Sequence, residues 1–145
     1  MYWLLRVLRQ STELKLHKVN PQTGSVEMLI DRSTDDAYND PGTPVTDKNK
    51  FGKYSVKLLN GSEIWMRGAG SSSKGDLPFL SSFDINTKKS TVLWRSDEPY
   101  YESVTDILDF DKMIIVTNRQ SETEAPNYFI RDLKTNISEC YYEFP

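Results

Sequence analysis

Phe79-Leu-Ser-Ser-Phe-Asp-Ile-Asn-Thr87-Lys-Lys, followed by Thr91-Val-Leu-Trp94, reads as two strands around a tight turn. Aromatic and β-branched residues suit a pleated surface, and the Asp, Asn and Lys between them suit a reversal of the chain. The same design occurs twice more. Leu14-Lys-Leu-His-Lys-Val-Asn-Pro-Gln-Thr23-Gly24 leads into Val26-Glu-Met-Leu-Ile30, and Tyr128-Phe-Ile-Arg-Asp-Leu-Lys-Thr135-Asn136 leads into Ile137 to Tyr142. In each, the Thr precedes the residue that must take positive φ. Gly24 and Asn136 suit that backbone, and Lys88 does so less well.

Working outward, a further strand precedes each hairpin: Trp3 to Leu8, Glu63 to Met66, and Met113 to Thr117. Trp3, Leu5 and Val7 alternate as a strand, although Leu4, Leu5 and Leu8 would also share one side of a helix. Two units carry yet another strand, Tyr54 to Leu59 and Val104 to Leu108. Asn60-Gly61 is a two-residue hairpin signal joining the first of these to Ile64–Met66, and Asp109 to Lys112 plays that part in the other. The threonines lie 64 and 48 residues apart, the longer interval holding a polar segment rich in Asp, Thr, Pro and Gly.

Four-stranded repeats of about 40–50 residues are the sequence form of β-propeller blades. The expected fold is therefore all-β: about three four-stranded antiparallel blades, at roughly 1–32, 51–96 and 103–145, with a linker at 33–50. The first unit lacks its opening strand, and three blades fall short of a closed ring, so the chain is expected to be part of a larger propeller.

Composition removes several function classes. The 145 residues are 37% hydrophobic and 12% aromatic, with formal charge −3, mean hydropathy −0.59 and pI near 5.2. Scattered Lys and Arg among acids do not make the basic surface that nucleic acid requires. No apolar run approaches the ~20 residues of a membrane span. The single cysteine, Cys140, leaves no intrachain disulfide and no cysteine-based metal cluster, and carries no information on compartment. No cofactor and no metal are expected.

Three stretches carry a family resemblance: Leu29-Ile-Asp-Arg-Ser-Thr-Asp-Asp-Ala-Tyr38, Arg67-Gly-Ala-Gly-Ser-Ser-Ser-Lys-Gly-Asp-Leu-Pro-Phe-Leu80 and Arg119-Gln-Ser-Glu-Thr-Glu-Ala-Pro-Asn-Tyr-Phe-Ile-Arg-Asp-Leu133. Together they resemble the propeller domain of the prolyl oligopeptidase family of serine peptidases, in its glutamyl-endopeptidase-like branch. The third stretch is the most specific, since that family places Ser-x-x-x-x-Pro-x-Tyr in its last blade. Tyr141-Tyr-Glu-Phe-Pro145 similarly looks like an exit from the propeller. Two loop positions depart from the pattern: the family commonly has Pro at Ser73, and a second Pro beside Pro126 where Ala125 stands. The resemblance implies a non-catalytic segment that limits peptide access to a separate α/β-hydrolase domain bearing the Ser-His-Asp triad. Its partners would be that domain and a peptide substrate, within a parent serine peptidase.

The residues offer little chemistry of their own. No Gly-x-Ser-x-Gly elbow is present, and His17, the only histidine, sits in a strand, so no catalytic residue is assigned. Gly68-Ala-Gly-Ser-Ser-Ser-Lys-Gly-Asp76 fails as a phosphate loop, because Asp76 stands where Lys is needed. Asp31, Asp35, Asp36, Asn39 and Asp40 lack the spacing of a calcium loop. Asn60-Gly-Ser62 and Asn136-Ile-Ser138 match the glycosylation triplet but are explained by turns. One recurrence stands out. Arg9-Gln-Ser11 and Arg119-Gln-Ser121 follow the second strands of units one and three, and Arg67 follows that of unit two. These arginines are the substrate-facing candidates, at the blade end where a following hydrolase domain would attach. The competing reading is a stand-alone β-rich binding module. Three blades also leave broad apolar faces uncovered, so the isolated chain is expected to self-associate.

Overall fold

The computed structural model describes residues 4–142. Fifteen strands run in chain order: β1 Leu4–Gln10, β2 Glu13–Val19, β3 Val26–Ser33, β4 Thr43–Pro44, β5 Thr46–Lys48, β6 Tyr54–Val56, β7 Glu63–Gly68, β8 Ser71–Ser72, β9 Gly75–Asp76, β10 Phe79–Asp84, β11 Ser90–Arg95, β12 Tyr101–Asp109, β13 Ile114–Gln120, β14 Asn127–Asp132 and β15 Ile137–Tyr142. All pairings are antiparallel, and no helix occurs among the described residues. The strand reading of Trp3 and the exit reading of 143–145 lie outside these residues.

Three sheets follow one another along the chain. The first is β1-β2-β3, the middle one β11-β10-β7-β4, and the third β12-β13-β14-β15, while β5-β6 and β8-β9 form short ribbons. The three repeated hairpins owe their turns to one device. Asn20 Oδ1 accepts from the N–H of Gln22 and Thr23 at 2.9 and 3.3 Å. Asp84 Oδ1 accepts from Asn86 and Thr87 at 2.8 and 3.1 Å. Asp132 Oδ1 does the same with Lys134 and Thr135, at 2.8 and 3.1 Å. A short polar side chain thus bonds the backbone of its own turn. The residue after each Thr has positive φ: 71° at Gly24, 59° at Lys88 and 60° at Asn136.

The inner strand of the middle sheet differs from the expectation. Tyr54–Val56 pairs with Thr46–Lys48 instead of β7, and beyond it only an isolated bridge, Leu59 to Glu63, remains beside Asn60-Gly61. The place next to β7 is taken by Thr43–Pro44, opposite Arg67 and Met66. Thus the polar segment 33–50 contains two strands. Three local features explain the exchange. Gly42, at φ +87°, approaches so closely that a Cβ would lie 2.4 Å from Arg67 O. Val45 is buried, and its N–H donates to Trp65 O at 2.8 Å. Pro44 lies on the sheet edge, where its missing donor costs nothing.

The middle sheet is covered on both faces. In β7 the consecutive residues Ile64, Trp65 and Met66 are all buried, as expected for a strand packed on two sides. Ile64, Met66, Phe83 and Ile85 pack against Leu16 and Leu29 of the first sheet. Trp65 and Leu80 turn the other way and pack with Val45 against Val104, Phe110 and Ile115 around the third sheet. Each fully buried side chain of this size contributes roughly 1.5–3 kcal/mol, so these two interfaces hold the array together.

Candidate functional site

The densest polar chemistry lies on the third-sheet face turned toward the middle sheet. Register places Glu102 opposite Arg119, Val104 opposite Thr117, and Phe129 and Arg131 opposite Thr117 and Ile115. Alternation therefore puts Glu102, Thr117, Arg119, Phe129 and Arg131 on one face with the buried Ile115. Arg131 grips Glu102 through two bonds, Nε to Oε1 at 2.6 Å and Nη2 to Oε2 at 2.9 Å. That planar fork is the strong form of an arginine–carboxylate pair. The Thr117 hydroxyl donates to Glu102 Oε1 as well. The Glu102 and Arg131 side chains are 5% and 18% exposed, so this is a nearly buried pair whose lone pairs are largely met from within. Ser96 Oγ accepts from Glu102 N–H at 3.0 Å and donates to Tyr100 O at 2.9 Å, tying the start of β12 to the end of β11.

Arg119 lies beside this pair. Its guanidinium stands 4.2 Å from the Tyr100 ring centroid and 4.1 Å from that of Phe129, a double cation–π arrangement. Its Nη2 meets Glu124 Oε2 at 3.3 Å, and Tyr100 OH donates to Glu124 Oε1 at 3.2 Å. Arg119 Nε is buried without a partner. Arg67 is engaged differently: Nη1 donates to Val104 O at 3.2 Å and Thr105 O at 3.3 Å. It joins the middle sheet to the third. Arg9 is exposed at the end of β1, opposite Leu14.

The three arginines share one end of their sheets but are not equivalent in register. Val19, Phe83 and Arg131, each one residue before its turn-forming Asn or Asp, stand opposite Leu4, Ile64 and Ile115. Counting from there, Arg119 corresponds to Gly68 and Leu8, whereas Arg67 corresponds to Asn118 and Val7. Arg119 consequently faces the middle sheet, Arg67 faces the third, and the matching Arg-Gln-Ser triplets are offset by one residue. An offset of one reverses the face of every side chain in a strand.

Other sequence candidates resolve locally. His17 pairs across β1 and β3 with Arg6 and Met28, and its Nδ1 is buried without a hydrogen bond. The acidic segment is organised by Arg32, whose Nη2 lies 2.6 Å from Asp40 Oδ2 and whose Nη1 donates to Ser33 O and Asp36 O. Among the described residues no group of three or more His, Cys, Asp or Glu side chains is placed to hold a metal. Asn60 and Asn136 both have positive φ, in keeping with turn roles. Ser71-Ser72 and Gly75-Asp76 form the β8–β9 ribbon.

Two features escaped sequence reasoning. The Glu102–Arg131 pair joins residues 29 apart. Its signal was an acid alternating with Val104, hence pointing inward. The second is a cleft of about 440 Å³ lined by Glu63, Trp65, Leu93, Phe110, Met113 and Lys134 among others. It lies at the β12–β13 turn end of the sheets, opposite the end that carries Arg67 and Arg119.

Comparison with known proteins adds the following. The chain is 34% identical over 120 residues to a probable chloroplastic glutamyl endopeptidase of Oryza sativa subsp. japonica, covering 74% of this chain and 13% of that protein. It is 31% identical over 121 residues to a protein of the same description from Arabidopsis thaliana, with the same coverage. No protein-family model and no solved structure matches. The chain thus spans about 13% of the length of these relatives, and the similarity supports a peptidase-related segment.

Proposed function

We propose that this chain is a non-catalytic part of a β-propeller in a prolyl oligopeptidase-like serine peptidase, where it limits peptide access to a hydrolase domain. The observation that carries this reading is the pairing of two facts. Similarity to glutamyl endopeptidases extends over three-quarters of the chain, and the matched region is a run of antiparallel sheets that repeat one hairpin design and pack face to face. Face-to-face succession of four-stranded sheets is the way propeller blades bury both surfaces. The parent's partners on this reading are the hydrolase domain and an acidic peptide.

Arg119 is the residue through which this segment would meet such a peptide. Its guanidinium is held by two rings and by Glu124, so a substrate carboxylate would compete with Glu124 for the same donors. The test is made in a full-length glutamyl endopeptidase into which this segment is exchanged. Arg119→Ala is expected to raise KM for acidic peptides more than for neutral ones, and Glu124→Gln to lower it for acidic peptides. Equal effects on acidic and neutral substrates would assign Arg119 a structural role and remove it from the access path.

A further inference from the structure

The cleft between the middle and third sheets has no part in the access role of Arg119. Both of its walls belong to an interface internal to the chain, at the end away from Arg67 and Arg119. Register builds one wall. Glu63 and Trp65 alternate onto one face of β7, and Trp65, Ser82 and Thr91 form a row across β7, β10 and β11. The β12–β13 turn supplies the other wall, with Phe110 and Met113. A volume of about 440 Å³ falls within the range of small-molecule sites.

Three observations define what would fill it. First, Ser82 is 9% exposed, and its hydroxyl, on the face turned into the cleft, bonds to no described residue. A buried hydroxyl without a partner is costly and calls for an explanation.

Second, the mouth carries uncompensated negative charge. Glu63 Oε2 accepts from Asn60 Nδ2 at 3.0 Å, which leaves Oε1 free. Asp84 stands opposite Glu63 across the strands, and Asp111 lies on the far wall. None of these three carboxylates forms an ion pair among the described residues. Like charges directly opposite one another destabilise a sheet. Lys134, the one cation lining the cleft, donates instead to the backbone Asp111 O at 2.7 Å.

Third, the apolar wall attracts ammonium groups. Lys57 Nζ, paired with Asp47 at 3.7 Å, lies 4.8 Å over the Phe110 ring. Such a cation–π contact is available to any ammonium beside that ring.

We propose that this cleft binds a primary ammonium carried on an apolar stem. The ammonium brings three donors, and Glu63 Oε1 with the Ser82 and Thr91 hydroxyls supplies acceptors for them. The stem lies against Phe110 and Met113. An anion of the same shape would meet Glu63 and Asp111, and a neutral alcohol would leave their charge unanswered.

Titration of the isotope-labelled full chain with phenethylamine at neutral pH and low salt, followed by amide N–H chemical shifts, reads the site. Saturable shifts at Trp65, Ser82 and Thr91 are expected, with Kd on the order of 1 mM. Phenethyl alcohol should bind at least about tenfold more weakly, and hydrocinnamate should not bind. Glu63→Gln should weaken the amine at least about tenfold and leave the alcohol unchanged, and Ser82→Ala should weaken the amine about fivefold. Near-ultraviolet circular dichroism checks that each variant is folded, and if one is not, the other decides. Absence of saturable shifts, equal binding of amine and alcohol, or an amine affinity unchanged in the folded variants overturns the proposal. The peptidase reading stands or falls separately, on the substrate kinetics of Arg119 variants.

Discussion

Removing the Glu102 carboxylate leaves the Arg131 guanidinium, 18% exposed, without its fork partner. Breaking a buried pair from one side is strongly destabilising because the remaining charge stays desolvated. Glu102→Ala is therefore expected to lower unfolding free energy by about 3–5 kcal/mol, read by urea denaturation. The double variant Glu102→Leu/Arg131→Met should recover most of that loss. A single-variant loss below about 1 kcal/mol would mean the pair is solvated in solution. The turn acids titrate in the opposite regime, at the surface. The backbone N–H groups of Thr87 and Asn86 hold the Asp84 carboxyl below its usual 3.8, and Thr135 leads the same effect at Asp132. A depressed folded-state pKa contributes stability that is present above the unfolded value and lost as pH falls through the folded one. Melting temperature should thus drop below about pH 4, and less steeply in Asp84→Asn/Asp132→Asn, which copies the Asn20 turn already in the first sheet. An unchanged acid slope in that variant would contradict the assignment. The turns themselves were legible in the sequence, as polar reversals in which Thr precedes a residue suited to positive φ, whereas the part of Asn20, Asp84 and Asp132 as acceptors emerges from the structure. Glu102–Arg131 was not legible, since its partners meet only after three strands have paired.

At the scale of elements, the repeated hairpins and their preceding strands could be read directly, because alternation and turn chemistry are both local. The inner strand of the middle sheet could not. Thr43–Pro44 is two residues long within a run of Asp, Thr, Pro and Gly, and its partner Arg67 lies 24 residues away. The Asn60-Gly61 signal was correct about the turn, at φ 48° and 79°, yet it did not determine which segment continues the sheet. Gly42 does more to settle that. Gly42→Ala would set a Cβ 2.4 Å from Arg67 O at a positive φ. It should cost about 1–3 kcal/mol and raise hydrogen exchange at the Val45 N–H, which bonds Trp65 O. Gly24→Ala, also at positive φ but in open space, should cost only about 1–2 kcal/mol and leave exchange in the middle sheet unchanged. Comparable exchange in both variants would show that β4 is not held by the close approach at Gly42.

For the whole molecule, the decisive feature is a middle sheet buried on both faces between two sheets that are each buried on one. The all-β class and the succession of antiparallel units were legible because they repeat. The facing of individual side chains was not. Arg-Gln-Ser recurs at Arg9 and Arg119, but strand register, which only pairing reveals, offsets the two by one residue and turns them to different faces. This bears on function, because it leaves Arg119 as the arginine held among rings and a carboxylate while Arg67 joins two sheets. The cross-strand neighbours of His17 are Arg6 and Met28. The proposal that this peptidase-related segment does no chemistry itself is checked by incubating the purified chain with chromogenic peptide and ester substrates. It predicts no turnover above buffer. Hydrolysis that survives repurification and disappears in His17→Ala would contradict it.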